Sequence, residues 1–137
     1  MDKKIIEELI SRAVKARKNA YMPYSNYAVG AAVLGENGEI YQGCNVENAS
    51  YPAGMCAERN AIANMITNAE SQIVKIVAVM PHGKAGMPCG ACREFMMQLN
   101  KTAGEIEILC DYETKKVIHL KSLTPEWWST DQMEMRE

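Results

Sequence analysis

Cys89 and Cys92 form a Cys-x-x-Cys pair within Pro88-Cys89-Gly90-Ala91-Cys92, and Cys56 stands 33 residues before Cys89 within Cys56-Ala57-Glu58-Arg59. A Cys-x-x-Cys pair by itself suits a redox dithiol, half of a zinc site, or plain burial. Its placement narrows the choice. Both stretches follow a loop and open a predicted helix, where free N–H groups and the positive dipole end favour thiolate over thiol. Three thiolates gathered there make a three-ligand zinc site with one position vacant. Catalytic sites leave that position to water, and structural sites close it with another protein ligand. Zinc can lower the pKa of such a water to about 7. Glu58 lies two residues after Cys56, so in the first helical turn the two side chains diverge. The carboxylate is therefore expected to face the vacant position, where it can take a proton from water and return it to a bound substrate.

Composition sets the class around this constellation. Lysine and arginine number 15 against 17 aspartates and glutamates, a formal net charge of −2. That balance excludes the basic surplus by which proteins hold nucleic acid phosphates, and no basic or aromatic track for a single strand appears. Apolar residues make up 47% and charged residues 23% of 137 residues, enough for one well-filled core. No apolar run approaches the roughly 20 residues of a membrane span, and Met1-Asp2-Lys3-Lys4 leads into no signal-peptide core, so a cytoplasmic protein without membrane contact is expected. Five cysteines, an odd count in a reducing compartment, argue against a disulfide framework. Cys44 and Cys110 lie in apolar or strand-like surroundings and read as buried small hydrophobes.

No repeat or linker interrupts the chain, so residues 1–137 are expected to form a single domain. Ile5, Ile6, Leu9, Ile10, Ala13 and Val14 recur at helical spacing between about Asp2 and Lys18, opposite Glu7, Glu8, Arg12 and Lys15. Tyr24-Ser25-Asn26 reads as a loop, and Tyr27 to Leu34 as a strand buried on both faces. Glu36-Asn37-Gly38 is a hairpin turn, returning as a strand over Glu39 to Asn45. The polar stretch from Val46 to Met55 leads into a helix from about Cys56 to Asn68 that buries Ile62, Met65 and Ile66. Ile73 to Met80 is an interior strand, Cys89 to Leu99 a second helix, and Glu105–Cys110 and Lys116–Leu120 two further strands. A hairpin followed by alternating helices and strands predicts an α/β sandwich with a mixed sheet.

A Cys-x-Glu followed by Pro-Cys-x-x-Cys is the pattern of zinc deaminases. Together with Tyr24-Ser25-Asn26-Tyr27-Ala28-Val29-Gly30-Ala31-Ala32, Gly43-Cys44-Asn45-Val46-Glu47-Asn48-Ala49 and Pro88-Cys89-Gly90-Ala91-Cys92-Arg93, it makes the chain resemble the small, homotetrameric, three-cysteine cytidine deaminases over nearly its whole length. The resemblance implies a three-layer α/β/α sandwich with a five-stranded mixed sheet. It implies one Zn2+ per chain on Cys56, Cys89 and Cys92, with Glu58 shuttling protons. Asn45 and Glu47 would grip the ribose hydroxyls, as suits an amide and a carboxylate facing a diol, while Tyr27 and Ala57 would contact the base. Arg59 would hydrogen-bond the ligand sulfurs and relieve the negative charge of a zinc–thiolate centre. Ala49, Tyr51 and Trp128 match positions that complete a neighbouring subunit's pocket. The implied reaction is hydrolysis at C4 of cytidine or deoxycytidine to the uridine nucleoside and ammonia, in pyrimidine salvage, with a small nucleoside rather than nucleic acid as partner.

Three positions depart from that pattern. Tyr27 stands for a phenylalanine and adds a hydroxyl near the base, Met87 precedes Pro88 where serine is common, and Cys92-Arg93-Glu94 replaces Cys-Arg-Gln. The last change is shared with blasticidin S deaminases, so a modified cytosine nucleoside is the alternative substrate. A structural zinc module for protein interaction is the alternative class; it requires a fourth ligand and no role for Glu58. Trp127 and Trp128 read equally as packing anchors or pocket walls, and His82 and His119 as non-ligands.

Overall fold

Parity along the strands sorts the core into two faces of one sheet, as the computed structural model, which describes residues 3–129, makes plain. The sheet has five strands in the order β2-β1-β3-β4-β5: β1 Gly30–Gly35, β2 Ile40–Cys44, β3 Ile73–Val79, β4 Glu107–Leu109 and β5 Val117–His119. Ala31 and Val33 of β1, Ile76 and Ala78 of β3 and Ile108 of β4 point to one face. They pack there against Ala61, Ile62 and Met65 of α2 (Ala57–Thr67) and Cys92 and Met96 of α3 (Gly90–Met97). The alternate residues Ala32, Leu34, Val77, Val79 and Leu109 meet Ile6, Leu9 and Ala13 of α1 (Lys3–Arg17) on the other face. The β3–β4 pair is parallel and the other three pairs are antiparallel, so the expected α/β/α sandwich with a mixed five-stranded sheet is what forms.

Two glycines let helices seat directly on strand backbone. A Cβ at Gly30 would lie 2.0 Å from the Ala13 carbonyl oxygen of α1. One at Gly43 would lie 2.4 Å from the Ala61 nitrogen and 2.9 Å from the Ala57 oxygen of α2. The first fixes the outer helix and the second fixes the helix that follows Cys56.

Several boundaries differ from the sequence expectation, each for a local reason. β1 starts at Gly30 rather than Tyr27, because the Asn45 side chain takes the hydrogen bonds of that backbone: Val29 N–H donates to Asn45 Oδ1 (2.9 Å) and Asn45 Nδ2 donates to the Tyr27 carbonyl (2.8 Å). Ile66 and Val14 are 41% and 42% exposed, since each sits at the margin of its helix's apolar stripe. Glu105 ends a 3-10 turn, Ala103–Glu105, and Leu120 opens the short α4 (Leu120–Leu123), so the last two strands have three residues each. Cys44 and Cys110 are half-buried rather than buried. One core residue has no apolar signature at all: Lys75 on β3 is 1% exposed and pairs its ammonium with Glu107 of the adjoining strand.

Candidate active site

The two ligand-bearing segments meet because both helices begin at one end of the same sheet face. Cys56 is the N-cap of α2 and Cys89 the N-cap of α3, each in extended backbone (φ −71°, ψ 153° and φ −69°, ψ 172°). Their carbonyls accept the first helical hydrogen bonds, from Asn60 N–H (3.0 Å) and Arg93 N–H (2.9 Å). Neither helix has a side-chain hydrogen bond at its cap, so the thiols take the place usually held by a serine or aspartate oxygen. Cys92 follows within the first turn of α3 and is fully buried.

The sulfurs lie close together. Cys56 Sγ is 3.6 Å from Cys89 Sγ, Cys89 Sγ is 3.5 Å from Cys92 Sγ, and all three fall within 4.8 Å of one another. A tetrahedron with Zn–S bonds of 2.3 Å has edges of about 3.8 Å. The trio therefore fits zinc in donor type and in spacing. No fourth histidine, cysteine, aspartate or glutamate joins the group among the described residues, as a catalytic rather than structural zinc site requires.

Charge is distributed to match. The Cys92 thiol hydrogen-bonds to Cys56 and, against the cost of burial, brings the Cys56 pKa down to about 5, with further help from the Arg59 guanidinium. Cys92 itself is pushed up, first by that same bond to Cys56 and then by its burial. Arg59 Nη2 donates to Cys56 Sγ at 3.6 Å, so the arginine serves the sulfur cluster instead of making a surface ion pair. Its Nε–H is buried with no hydrogen-bond partner among the described residues, a donor held beside a group that gains negative charge when all three thiols ionise. Glu58, 5% exposed, is raised to about 7, first by desolvation.

These groups open onto a cleft of about 660 Å³. Cys56, Ala57, Glu58, Arg59 and Cys89 line it, with Tyr27, Asn45 and Glu47 and the apolar side chains of Met55, Met80 and Met87. Tyr27 is half-exposed. Asn45 and Glu47 are partly engaged already, Asn45 with the backbone of Tyr27 and Val29, and Glu47 with the loop before it. Tyr24 and Ser25 also line the cleft, and sequence reasoning gave them no role. The signal lay in the polar loop they share with Asn26, whose left-handed backbone (φ 58°) turns the chain there.

The expected subunit-bridging positions lie elsewhere. Ala49 is exposed on the loop after β2 and does not line the cleft. Trp128 is 69% exposed, and its indole N–H donates to Glu94 Oε1 and Oε2 at 3.1 Å. Tyr51 falls in a 3-10 turn, Tyr51–Ala53, and its side chain lies outside the described part of the structure. Glu94 also accepts from Trp127 Nε1 (2.8 Å) and Gln98 Nε2 (2.8 Å), so this departure from the family pattern serves the C-terminal segment and not the cleft. Met87, by contrast, is a cleft residue.

Three sulfurs with no fourth protein ligand among the described residues, beside a buried carboxyl that lines an open cleft, define a zinc-dependent hydrolase on an α/β/α frame. Residues 3–106 match the family model described as the cytidine and deoxycytidylate deaminase zinc-binding region, and the chain belongs to that family. A cytidine deaminase of Mycobacterium tuberculosis is 34% identical over 125 residues, covering 91% of this chain and 90% of that protein. One of Sporosarcina psychrophila is 41% identical over 93 residues, 68% of each chain. The crystal structure of cytidine deaminase from Mycobacterium leprae superposes with a TM-score of 0.79 at 35% identity, covering 88% of this chain and 98% of that one.

Proposed function

We propose that this protein hydrolyses the exocyclic amine of cytidine or deoxycytidine, giving the uridine nucleoside and ammonia, as a cytoplasmic homotetramer in pyrimidine salvage built from a single domain spanning residues 1–137. The observation that carries the chemistry is the sulfur trio of Cys56, Cys89 and Cys92 with Glu58 buried beside it and lining the cleft. Bound zinc acidifies water and so supplies a nucleophile at neutral pH. Glu58, whose acidity is weakened by burial, takes one proton from water and delivers it to N3 of the ring, then carries a second proton, from the hydroxyl that water has placed on C4, to the leaving amine. Its burial keeps that exchange away from bulk solvent. Arg59 balances the thiolates. Tyr27 lies along the base, Ala57 allows the base a close approach, and Asn45 and Glu47 take sugar hydroxyls with the donor and lone pairs the loop leaves free. Ala49, Tyr51 and Trp128 complete the pocket of a neighbouring subunit.

Two features favour an unmodified cytosine nucleoside over blasticidin S. Glu94, the residue shared with that alternative, is bound to Trp127, Trp128 and Gln98 and does not line the cleft. The relatives over most of the chain are cytidine deaminases. Among the described residues no helix is long and apolar enough to cross a membrane. The decisive experiment is Glu58→Gln. We expect zinc content to remain one ion per chain and kcat on cytidine to fall by about 10²-fold or more. Undiminished turnover in that variant overturns the mechanism, and loss of zinc along with turnover reassigns Glu58 to metal binding.

A further inference from the structure

We propose that Ser25 is a positioning residue for nucleoside binding, acting through Glu47 to aim one carboxylate oxygen at the sugar; the proposal rests on the reading that Glu47 binds the ribose. The Ser25 hydroxyl donates to Glu47 Oε2, while Glu47 Oε1 accepts the backbone N–H groups of Tyr24 (3.0 Å) and Ser25 (3.1 Å). The same Ser25 Oγ accepts the N–H of Tyr27 at 3.1 Å. One hydroxyl thus joins a carboxylate that lines the cleft to the backbone of the aromatic residue expected along the base.

A carboxylate offers about four lone-pair sites. The loop occupies both sites on Oε1 and one on Oε2, which leaves a single acceptor on Oε2. Its direction is set by the serine, because a hydroxyl bound to one lone pair fixes the rotation of the carboxylate plane. The hydroxyl's bond is also the first cause of a Glu47 pKa below the ordinary carboxyl range, keeping the group an acceptor. Without the hydroxyl the carboxylate keeps its two backbone donors but can swing about them, and Tyr27 N–H loses its partner.

Three variants test this: Ser25→Ala, Ser25→Thr and Glu47→Gln. For each we would measure kcat and KM for cytidine and, against it, the inhibition constant of 2′,3′-dideoxycytidine, which lacks both hydroxyls. Ser25→Ala is expected to raise KM for cytidine about tenfold, the worth of one charged hydrogen bond. Its kcat should stay within about twofold, and the dideoxycytidine constant should rise clearly less than the cytidine KM, since only the Tyr27 N–H contact and no sugar contact is lost for it. Ser25→Thr, which keeps a hydroxyl, should restore KM. Weakened dideoxycytidine binding in Ser25→Ala, equal to the change for cytidine, overturns the proposal by showing that the loop as a whole has moved. An unchanged cytidine KM overturns it as well. If Glu47→Gln leaves the cytidine to dideoxycytidine ratio at the wild-type value, the assignment of Glu47 to the sugar is what fails, and the role of Ser25 falls with it.

Discussion

Placing one methyl group on Gly43 should displace the helix that starts at the metal centre, while the same change at Gly30 should weaken the fold and leave the centre alone. A Cβ at Gly43 meets three backbone atoms of α2, at 2.4, 2.8 and 2.9 Å, where ordinary contact begins near 3.4 Å. Backbone cannot rotate away, so α2 must retreat by about 1 Å from β2. Cys56 caps that helix and Glu58 lies in its first turn, and a shift of about 1 Å at reacting groups can cost about 10²-fold in rate. At Gly30 the clash is tighter, 2.0 Å to the Ala13 oxygen, but α1 packs on the opposite face of the sheet. Overpacking of this kind costs about 1–3 kcal/mol, a melting point lower by roughly 4 to 10 °C in a domain of this size. Thermal melts, zinc retention against a competing chelator and kcat/KM on cytidine, measured side by side, decide the matter. Both glycine-to-alanine variants should melt early, and only Gly43→Ala should lose zinc readily and drop in kcat/KM. Equal zinc retention and equal activity in the two would refute the idea that the seating of α2 on β2 sets the geometry of the site.

Glu107→Gln should destabilise by about 2 to 4 kcal/mol, because it strands the buried Lys75 ammonium, whereas Lys75→Met should be close to neutral; denaturant midpoints compare the two. Glu94→Ala should change tryptophan emission by releasing both indole N–H groups from the carboxylate and, because Trp128 is proposed to complete a neighbouring subunit's pocket, should raise KM for cytidine in the intact assembly. The Glu94 pKa lies below the ordinary carboxyl value of 4.5, held there by Gln98 first and by both indoles, so the clamp is complete above that value and its stabilisation is lost on acidification through the lower folded pKa. An acid titration of the emission should therefore show its transition below pH 4.5 and lose it in Glu94→Ala. In zinc-loaded protein, thiol reagents should reach at most Cys44 and Cys110, and chelation should expose Cys56, Cys89 and Cys92 as well, which mass spectrometry of alkylated peptides will count.

The sulfur trio, Glu58 and the order of helices and strands were legible because each rests on short-range pattern: a residue spacing, a capping position, an apolar period. What escaped the sequence depends on partners far along the chain. Nothing near Lys75 marks it as interior, since its counterion lies 32 positions later on a parallel neighbour. Asn45 reads as a sugar ligand, yet its amide also ends β1 by capturing the backbone of Tyr27 and Val29, a contact only the folded sheet creates. Glu94 looked like a change in substrate recognition and proves to be an anchor for two tryptophans more than 30 positions away. Ser25 reads only as part of a loop, and its bond to Glu47 exists because the return of β2 brings that carboxylate beside it.

The separation of the ligands gives the metal a second consequence. Cys56 and Cys89 bracket α2 and the whole of β3, the middle strand of the sheet, so an ion held by both ties off a loop that contains the heart of the core. That tie exists only in the folded chain, and occupancy therefore adds to folding by mass action, about 2.7 kcal/mol when free zinc exceeds its dissociation constant a hundredfold. In a cell short of zinc, the amount of this protein that escapes proteolysis becomes a record of metal supply, set by turnover of the chain before any question of catalysis arises.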